Sequence, residues 1–381
     1  MRKINNKAIS IMLIILIYSI FTLVFLKPLG NTYYKIINPA FWILLVILCH
    51  FFFKNEYIHK KHKKDVLLTV IISIFIYFIL YYLSGLYLGY QQTPYIKTFK
   101  GILSNIWNFT FFIILQEYVR QVLINRTGKN KGLVIVITIL FIIIDVSKNI
   151  TLYQFDKAYI VFQYLCISFI PIMAKNMLLS YLTYISNCIP AIIYSFIMET
   201  FSFMVPFVPN INWFLTGILN IIFPFIIFVY TYKIVELKDM KHKKKNNKRN
   251  IIYIPLLIIV LILAILVSGS FKHQLIAVAS NSMNPEFYRG DAVLMKKLED
   301  REIKQLKEGN IIVFAKKNKV VIHRILKIEE SEDGNIYYKT KGDNNNGPDS
   351  GVIDKKKIIG KYITKIKFIG YPSVILQEIL S

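Results

Sequence analysis

Acidic side chains are scarce in this chain, with 22 Asp and Glu against 47 Lys and Arg and a formal charge of +25. Such an imbalance raises nucleic acid as a partner, but the cations are placed wrongly for it. They crowd into short segments between apolar runs: Lys54 with Lys60, Lys61, Lys63 and Lys64, then Arg126 to Lys131, then Lys238 to Arg249. That is the pattern of cytoplasmic loops under the positive-inside rule. Cysteine is scarcer still, and Cys49, Cys166 and Cys188 all lie inside apolar runs. A disulfide framework for the water-exposed part of the chain is thereby excluded. No small-residue cleavage site follows the basic start and apolar run Ile9 to Leu26, so this segment reads as a retained first span.

What abounds is apolar. The chain is 55% hydrophobic over 381 residues, with a mean hydropathy of +0.48, too apolar for a soluble globular protein of this length. Roughly 20 apolar residues cross a bilayer. That ruler selects about nine spans, near 8–27, 38–53, 66–87, 102–123, 133–150, 158–174, 177–199, 212–233 and 251–270. With the amino terminus inside, nine crossings place the three basic segments in the cytoplasm and everything after about Ser270 outside.

Composition changes sharply at the lysine- and asparagine-rich run ending at Asn250. The expected organisation is a multi-span helical membrane domain over 1–236, a basic cytoplasmic loop over 237–250, an anchor over 251–270 and a water-exposed domain over 271–381. The last is expected to be mostly β. Ala292 to Met295, Ile311 to Phe314, Val320 to Ile328, Ile336 to Lys339 and Lys357 to Ile366 are rich in Val, Ile and Tyr and divided by Gly, Asn and Asp.

Chemistry concentrates in this last domain. A serine hydroxyl is a weak nucleophile until a base takes its proton, and acyl transfer also needs donors aimed at the developing oxyanion. Ser282 precedes Pro285, whose fixed φ stiffens the turn and biases Asn284 toward extended backbone. Ser280 stands two residues earlier in position to form an oxyanion hole with the Ser282 backbone N–H. His323 supplies the side chain best suited to exchange protons near neutrality. Asp343 and Asp349 follow in a turn-rich stretch, and the residues alone leave open which one faces His323. Lys339 and Lys341 remain alternative bases.

The ordered blocks Ser280-Asn281-Ser282-Met283-Asn284-Pro285, Gly290-Asp291, Gly309 to Phe314, His323-Arg324 and Lys341 to Asn345 resemble a type I signal peptidase, with histidine at the base position as in the endoplasmic-reticulum branch. The similarity runs over about 251–370, and Asn281 and Asn310 depart from the family's usual glycine and aspartate. The resemblance implies Ser282 as nucleophile, His323 as general base, Asp349 as the carboxylate orienting His323, Asp343 as a second supporting acid and Ser280 as oxyanion donor. It implies a small mostly-β catalytic domain with no metal or cofactor, cutting after small residues in signal-peptide-bearing preproteins at the outer surface of the cell membrane. Partners are then preproteins, the lipid bilayer and a secretion translocase, with no nucleic acid. Met283, Phe287 and Tyr288 are candidates to line the substrate pockets or dip into lipid, with a packed-core role an equal alternative for each.

The first 236 residues stand outside that resemblance. Glu117 and Arg120 share a helical face, and Asp145, Lys175 and Glu199 also fall in apolar runs. The glutamate-x-x-arginine pattern is similar to that of intramembrane glutamate proteases, although only His50 approaches a span, and a local ion pair suffices to explain it. Two rivals stay open: a transporter or sensor whose outer domain only keeps a peptidase-like fold, and a self-cleaving regulatory protease.

Overall fold

A computed structural model describes residues 6–30, 32–53, 62–127, 130–239, 262, 265–316, 319–330 and 336–380. The chain divides into two units, Met1–Tyr253 and Ile254–Ser381.

The first unit is helical, because long runs of Ile, Leu, Phe and Tyr leave a bilayer-buried backbone no other way to pair its N–H and C=O groups. In order it contains α1 (Asn6–Leu29), α2 (Asn38–Phe52) entered through a π turn at Tyr33–Ile37, and α3 (Lys63–Leu88). Next come strand β1 (Tyr90–Gln92), α4 (Phe99–Asn105), α5 (Phe111–Asn125) and α6 (Lys131–Ile150). The unit closes with α7 (Ala158–Tyr164), α8 (Ile170–Ile185), α9 (Cys188–Met204), strand β2 (Phe207–Pro209) and α10 (Trp213–Asp239). Side-chain caps start several of these helices: Thr98 accepts from Gly101 N at 3.2 Å, Asn130 from Gly132 N at 2.9 Å, and Asn187 from Ile189 N at 3.2 Å. Strands β1 and β2 pair antiparallel, Tyr90 opposite Pro209. Large apolar side chains such as Phe51 (86% exposed) and Phe75 (67%) cover its surface, which water does not tolerate and lipid does.

Six helices among the described residues are long and apolar enough to cross a membrane, so this is a membrane protein, but the count differs from the expected nine. Three of the expected spans account for the difference. The region near 102–123 is helical through a π turn at Ile106–Thr110, but Asn105, Asn108, Gln116, Glu117 and Arg120 make it too polar to count as a candidate span. The pair 158–174 and 177–199 is divided elsewhere: one apolar helical run covers Ala158–Ile185, and α9, with 17 residues, is shorter than a candidate span. The expected break at Lys175 and Asn176 is helix interior, because both side chains are paired inside the unit rather than released to water. Most of the expected ninth span, 251–270, lies outside the described residues.

The second unit is mostly β. Strands β3 (His273–Ala277), β4 (Ala292–Lys297), β5 (Ile311–Lys316), β6 (Lys319–Glu330), β7 (Ile336–Lys341), β8 (Ile353–Asp354) and β9 (Ile358–Ile366) form one sheet in the order β3-β4-β9-β5-β6-β7-β8. Every pairing is antiparallel. A short α11 (Asp300–Ile303) and a terminal α12 (Tyr371–Leu380) complete it. The five expected strands are present, four of them slightly longer than read and β9 one residue shorter; β3 and the two-residue β8 are additional. Its core has two parts, one around Ile312, Phe314, Ile325 and Tyr338, the other joining Val278, Met283, Phe287, Val293 and Ile311.

Candidate active site

The segment between β3 and β4 carries Ser282 and is held at both ends. Val278 and Gly290–Asp291 close it by backbone bonds, Val278 N to Asp291 O and Gly290 N to Val278 O, each 2.9 Å. Asp291, buried, accepts from Tyr288 N at 2.9 Å and Phe368 N at 3.2 Å, so the sequence's Gly-Asp pair ties this loop to the chain leading into α12. Met283 and Phe287, each 1% exposed, take the packed-core alternative and anchor the loop, while Tyr288 stays exposed.

His323 reaches the loop from β6. Alternation on β6 turns His323 and Ile325 into the interior, with His323 opposite Ile312 on β5 and its ring edge-on to Phe314. Its Nδ1 lies 2.5 Å from Asp349 Oδ2 and its Nε2 3.3 Å from Ser282 Oγ. With Asp349 ionised, Nδ1 carries the proton and Nε2 is left free to accept from the serine hydroxyl.

Asp349 is placed by β7. Its backbone N–H donates to Thr340 O at 2.8 Å, and the fully buried Thr340 hydroxyl donates to Asp349 Oδ2 at 2.7 Å. Burial works against the Asp349 charge, but the hydrogen bonds from His323 and Thr340 outweigh it and hold the carboxyl below the ordinary aspartate range. Nothing in the sequence pattern singled out Thr340, although a threonine on the inward face of a strand beside an acid-bearing turn is the available signal.

Asp343 goes elsewhere. It takes Arg324 in a two-pronged pair, Nε at 2.9 Å and Nη2 at 2.7 Å, while Arg324 Nη1 donates to Gly309 O at 3.0 Å. The hydrogen bond to Asp343 raises the Arg324 pKa above the usual guanidinium range, so the clamp stays charged. The turn after β7 then grips the serine loop: Asn344 N donates to Ser282 O at 2.8 Å, and Asp343 N meets Met283 Sδ at 3.4 Å. At Gly342 a Cβ would stand 2.7 Å from Ser282 O and 2.9 Å from His323 Nε2, so the close approach admits only hydrogen there.

Ser280 Oγ lies 3.3 Å from Ser282 Oγ. The expected site residues Ser280, Ser282, His323 and Asp349 therefore converge, and Asp343 sits one layer out, joined through Arg324 rather than through His323. Of the alternatives to histidine, Lys341 lies opposite Arg324 and Lys339 opposite Lys327 in the β6–β7 ladder, while His323 Nε2 lies 3.3 Å from Ser282 Oγ.

Serine, imidazole and carboxylate stand in contact on a small β unit in the arrangement that serine hydrolases use. The particular relationship follows from comparison with known proteins. Residues 249–328 match the family signal peptidase, peptidase S26. The signal peptidase complex catalytic subunit SEC11C of Homo sapiens is 28% identical over 152 residues, 35% of this chain and 77% of that protein. Signal peptidase I W of Bacillus subtilis (strain 168) is 34% identical over 123 residues, 30% of this chain and 63% of that protein. The signal peptidase complex catalytic subunit sec11 of Dictyostelium discoideum is 34% identical over 120 residues, 29% of this chain and 64% of that protein. The carboxy-terminal part is thus a signal peptidase S26 domain related to these proteins, a serine peptidase by family, joined to a helical region with six candidate spans.

Proposed function

We propose that the second unit is a membrane-bound serine endopeptidase that removes signal peptides from secreted or membrane preproteins at the outer membrane–water interface. The observation that carries this is the unbroken run of contacts from Asp349 through His323 to Ser282. In the reaction, His323 Nε2 takes the Ser282 proton as Oγ attacks the scissile carbonyl. The imidazolium formed is stabilised by Asp349, and it returns the proton to the leaving amine. Water then repeats the sequence on the acyl-enzyme, with no metal or cofactor in the scheme. The Ser280 hydroxyl and the Ser282 N–H receive the oxyanion. Asp343 acts at one remove, holding the turn that grips the serine loop.

The preprotein's apolar segment lies in the bilayer, so enzyme and substrate meet in two dimensions, and a translocase is the natural source of substrate. The test is processing of a reporter preprotein by the full chain. Ser282→Ala and His323→Ala each reduce it by about 10⁴-fold or more while abundance and membrane insertion stay the same. Unchanged processing in either variant overturns the reading and favours a transporter or sensor with an inactive outer unit. Loss of a truncated form of the chain itself in Ser282→Ala would identify self-cleavage.

A further inference from the structure

The buried charges of the first unit satisfy one another. Arg120 of α5 pairs with Glu117, Nε to Oε2 at 2.9 Å, and donates to Asn176 Oδ1 at 2.7 Å. Asn176 of α8 donates to Asp145 of α6 at 2.9 Å. Lys148 lies 3.9 Å from Asp145, and Lys175 meets both Asp145 and Glu199 of α9 at 3.1 Å, so three cations are matched by three carboxylates. Arg120 also donates to Ser180 Oγ at 2.9 Å, and Ser180 forms part of the wall of a cavity that the cluster does not fill.

This cavity, about 830 Å³, lies between α6, α8 and α10. Helices α6 and α10 and the apolar run ending in α8 are all long enough to cross a membrane. The lining changes with depth. Lys131 at the start of α6, Tyr184 near the end of α8, and Tyr232 and Glu236 in the last turns of α10 gather at one end, where these helices terminate. Tyrosines at helix ends suit a membrane–water interface. Ile142 and Met173 lie at the other end, and between the two the Thr138 hydroxyl is spent on Val134 O at 2.8 Å. The stretch of α6 from Lys131 to Ile142 is about 17 Å long, close to half of the roughly 30 Å hydrocarbon core. Ile139 and Met177 line the cavity and are also exposed on the surface of the unit, so it is a groove open sideways to lipid.

Shape and depth select an acyl chain. A helix about 10 Å across and 17 Å long takes up roughly 1,300 Å³, more than the groove holds. The mouth then selects the headgroup, because it offers one ammonium, Lys131, and one carboxylate, Glu236. A purely anionic lipid meets repulsion at Glu236, whereas a phosphate followed by a primary ammonium meets each with its opposite. A primary ammonium also donates hydrogen bonds to a carboxylate, and the trimethylated ammonium of choline has none to give. We infer that the groove between α6, α8 and α10 binds one ethanolamine phospholipid, with its phosphate at Lys131, its ammonium at Glu236 and an acyl chain running along α6 and α8 to Met173. The flexible thioethers of Met173 and Met177 adapt to chains of different shape.

The test uses the full chain in nanodiscs of equal parts phosphatidylethanolamine, phosphatidylcholine and phosphatidylglycerol, with the lipids kept after extraction into mild detergent counted by native mass spectrometry. Phosphatidylethanolamine is kept about tenfold more than phosphatidylcholine. Glu236→Gln removes that preference, Lys131→Gln lowers retention of both, and Ile139→Trp, which fills the groove, reduces the count by one lipid. Unchanged helical circular dichroism shows that the variants are folded. With p-benzoylphenylalanine at position 139, ultraviolet light gives an adduct of the mass of phosphatidylethanolamine. Equal retention of the three lipids, a preference for phosphatidylglycerol, a preference that survives Glu236→Gln, or retention unchanged by Ile139→Trp overturns the inference. So does a benzoylphenylalanine adduct to protein in place of lipid. None of these readouts depends on peptidase activity, whose own failure is seen as processing that survives Ser282→Ala.

Discussion

At the residue scale, the site depends on how closely three chain segments approach one another. Ser280→Ala removes one oxyanion donor while leaving the nucleophile and base in place, and a loss of about 10²–10³-fold in kcat is expected from steady-state kinetics on a reporter preprotein. Gly342→Ala puts a methyl where Ser282 O and His323 Nε2 already lie within 2.9 Å, so a large fall in kcat at little cost in abundance is expected. Asp349 adds a pH signature. Its folded pKa lies below the unfolded value, so its contribution to stability is fully present above ~3.9 and is lost as pH falls through the lower folded value. Asp349→Asn should therefore flatten the acid side of the stability-versus-pH curve, measured as thermal unfolding from pH 7 downward. Serine, histidine and both acids were legible as residue types in sequence. Which acid faces the imidazole was not, because that depends on Thr340 and the β7 register holding Asp349 in place.

At the element scale, the turn after β7 is the part that positions. Arg324 fixes Asp343 from the strand that also carries His323, while Asn344 N holds Ser282 O, so one turn couples base and nucleophile. Arg324 is about one-third exposed, and breaking its pair costs about 1 kcal/mol or less in stability. Arg324→Met is nevertheless expected to lower kcat by about tenfold or more with little change in KM, since misplacing a catalytic group costs rate rather than binding. The strands were legible because β-branched residues alternate between Gly and Asn breaks; β8 was not, since two residues show no period. Helix boundaries failed where polar residues were taken for loops. Lys175 and Asn176 read as a break, but Asp145 and Glu199 on other helices pay their desolvation and the helix runs on to Ile185.

At the scale of the whole molecule, the first prediction concerns sidedness. The positive-inside rule assigns Arg126–Lys131 to the cytoplasm, and the proposed function requires the β unit outside. In a cysteine-free background, a membrane-impermeant thiol reagent applied to intact cells should label Tyr288→Cys, exposed on the β unit, and leave Lys131→Cys unlabelled until the cells are opened. The reverse pattern would place the site on the wrong side for signal-peptide removal.

The sequence by itself determined what composition and local period carry: lipid as the solvent of the first unit, a β-rich second unit, and a serine and histidine in the order of a peptidase. Those properties are written in neighbouring residues, so no contact across the chain is needed to see them. The tertiary structure alone decided that Asp349 meets His323 while Asp343 meets Arg324, that Met283 and Phe287 are core, and that charges scattered from Glu117 to Glu199 form one network. Each of these pairs residues far apart along the chain, and only packing, by removing water and bringing the partners within hydrogen-bond reach, selects one pairing among several the residue types allow.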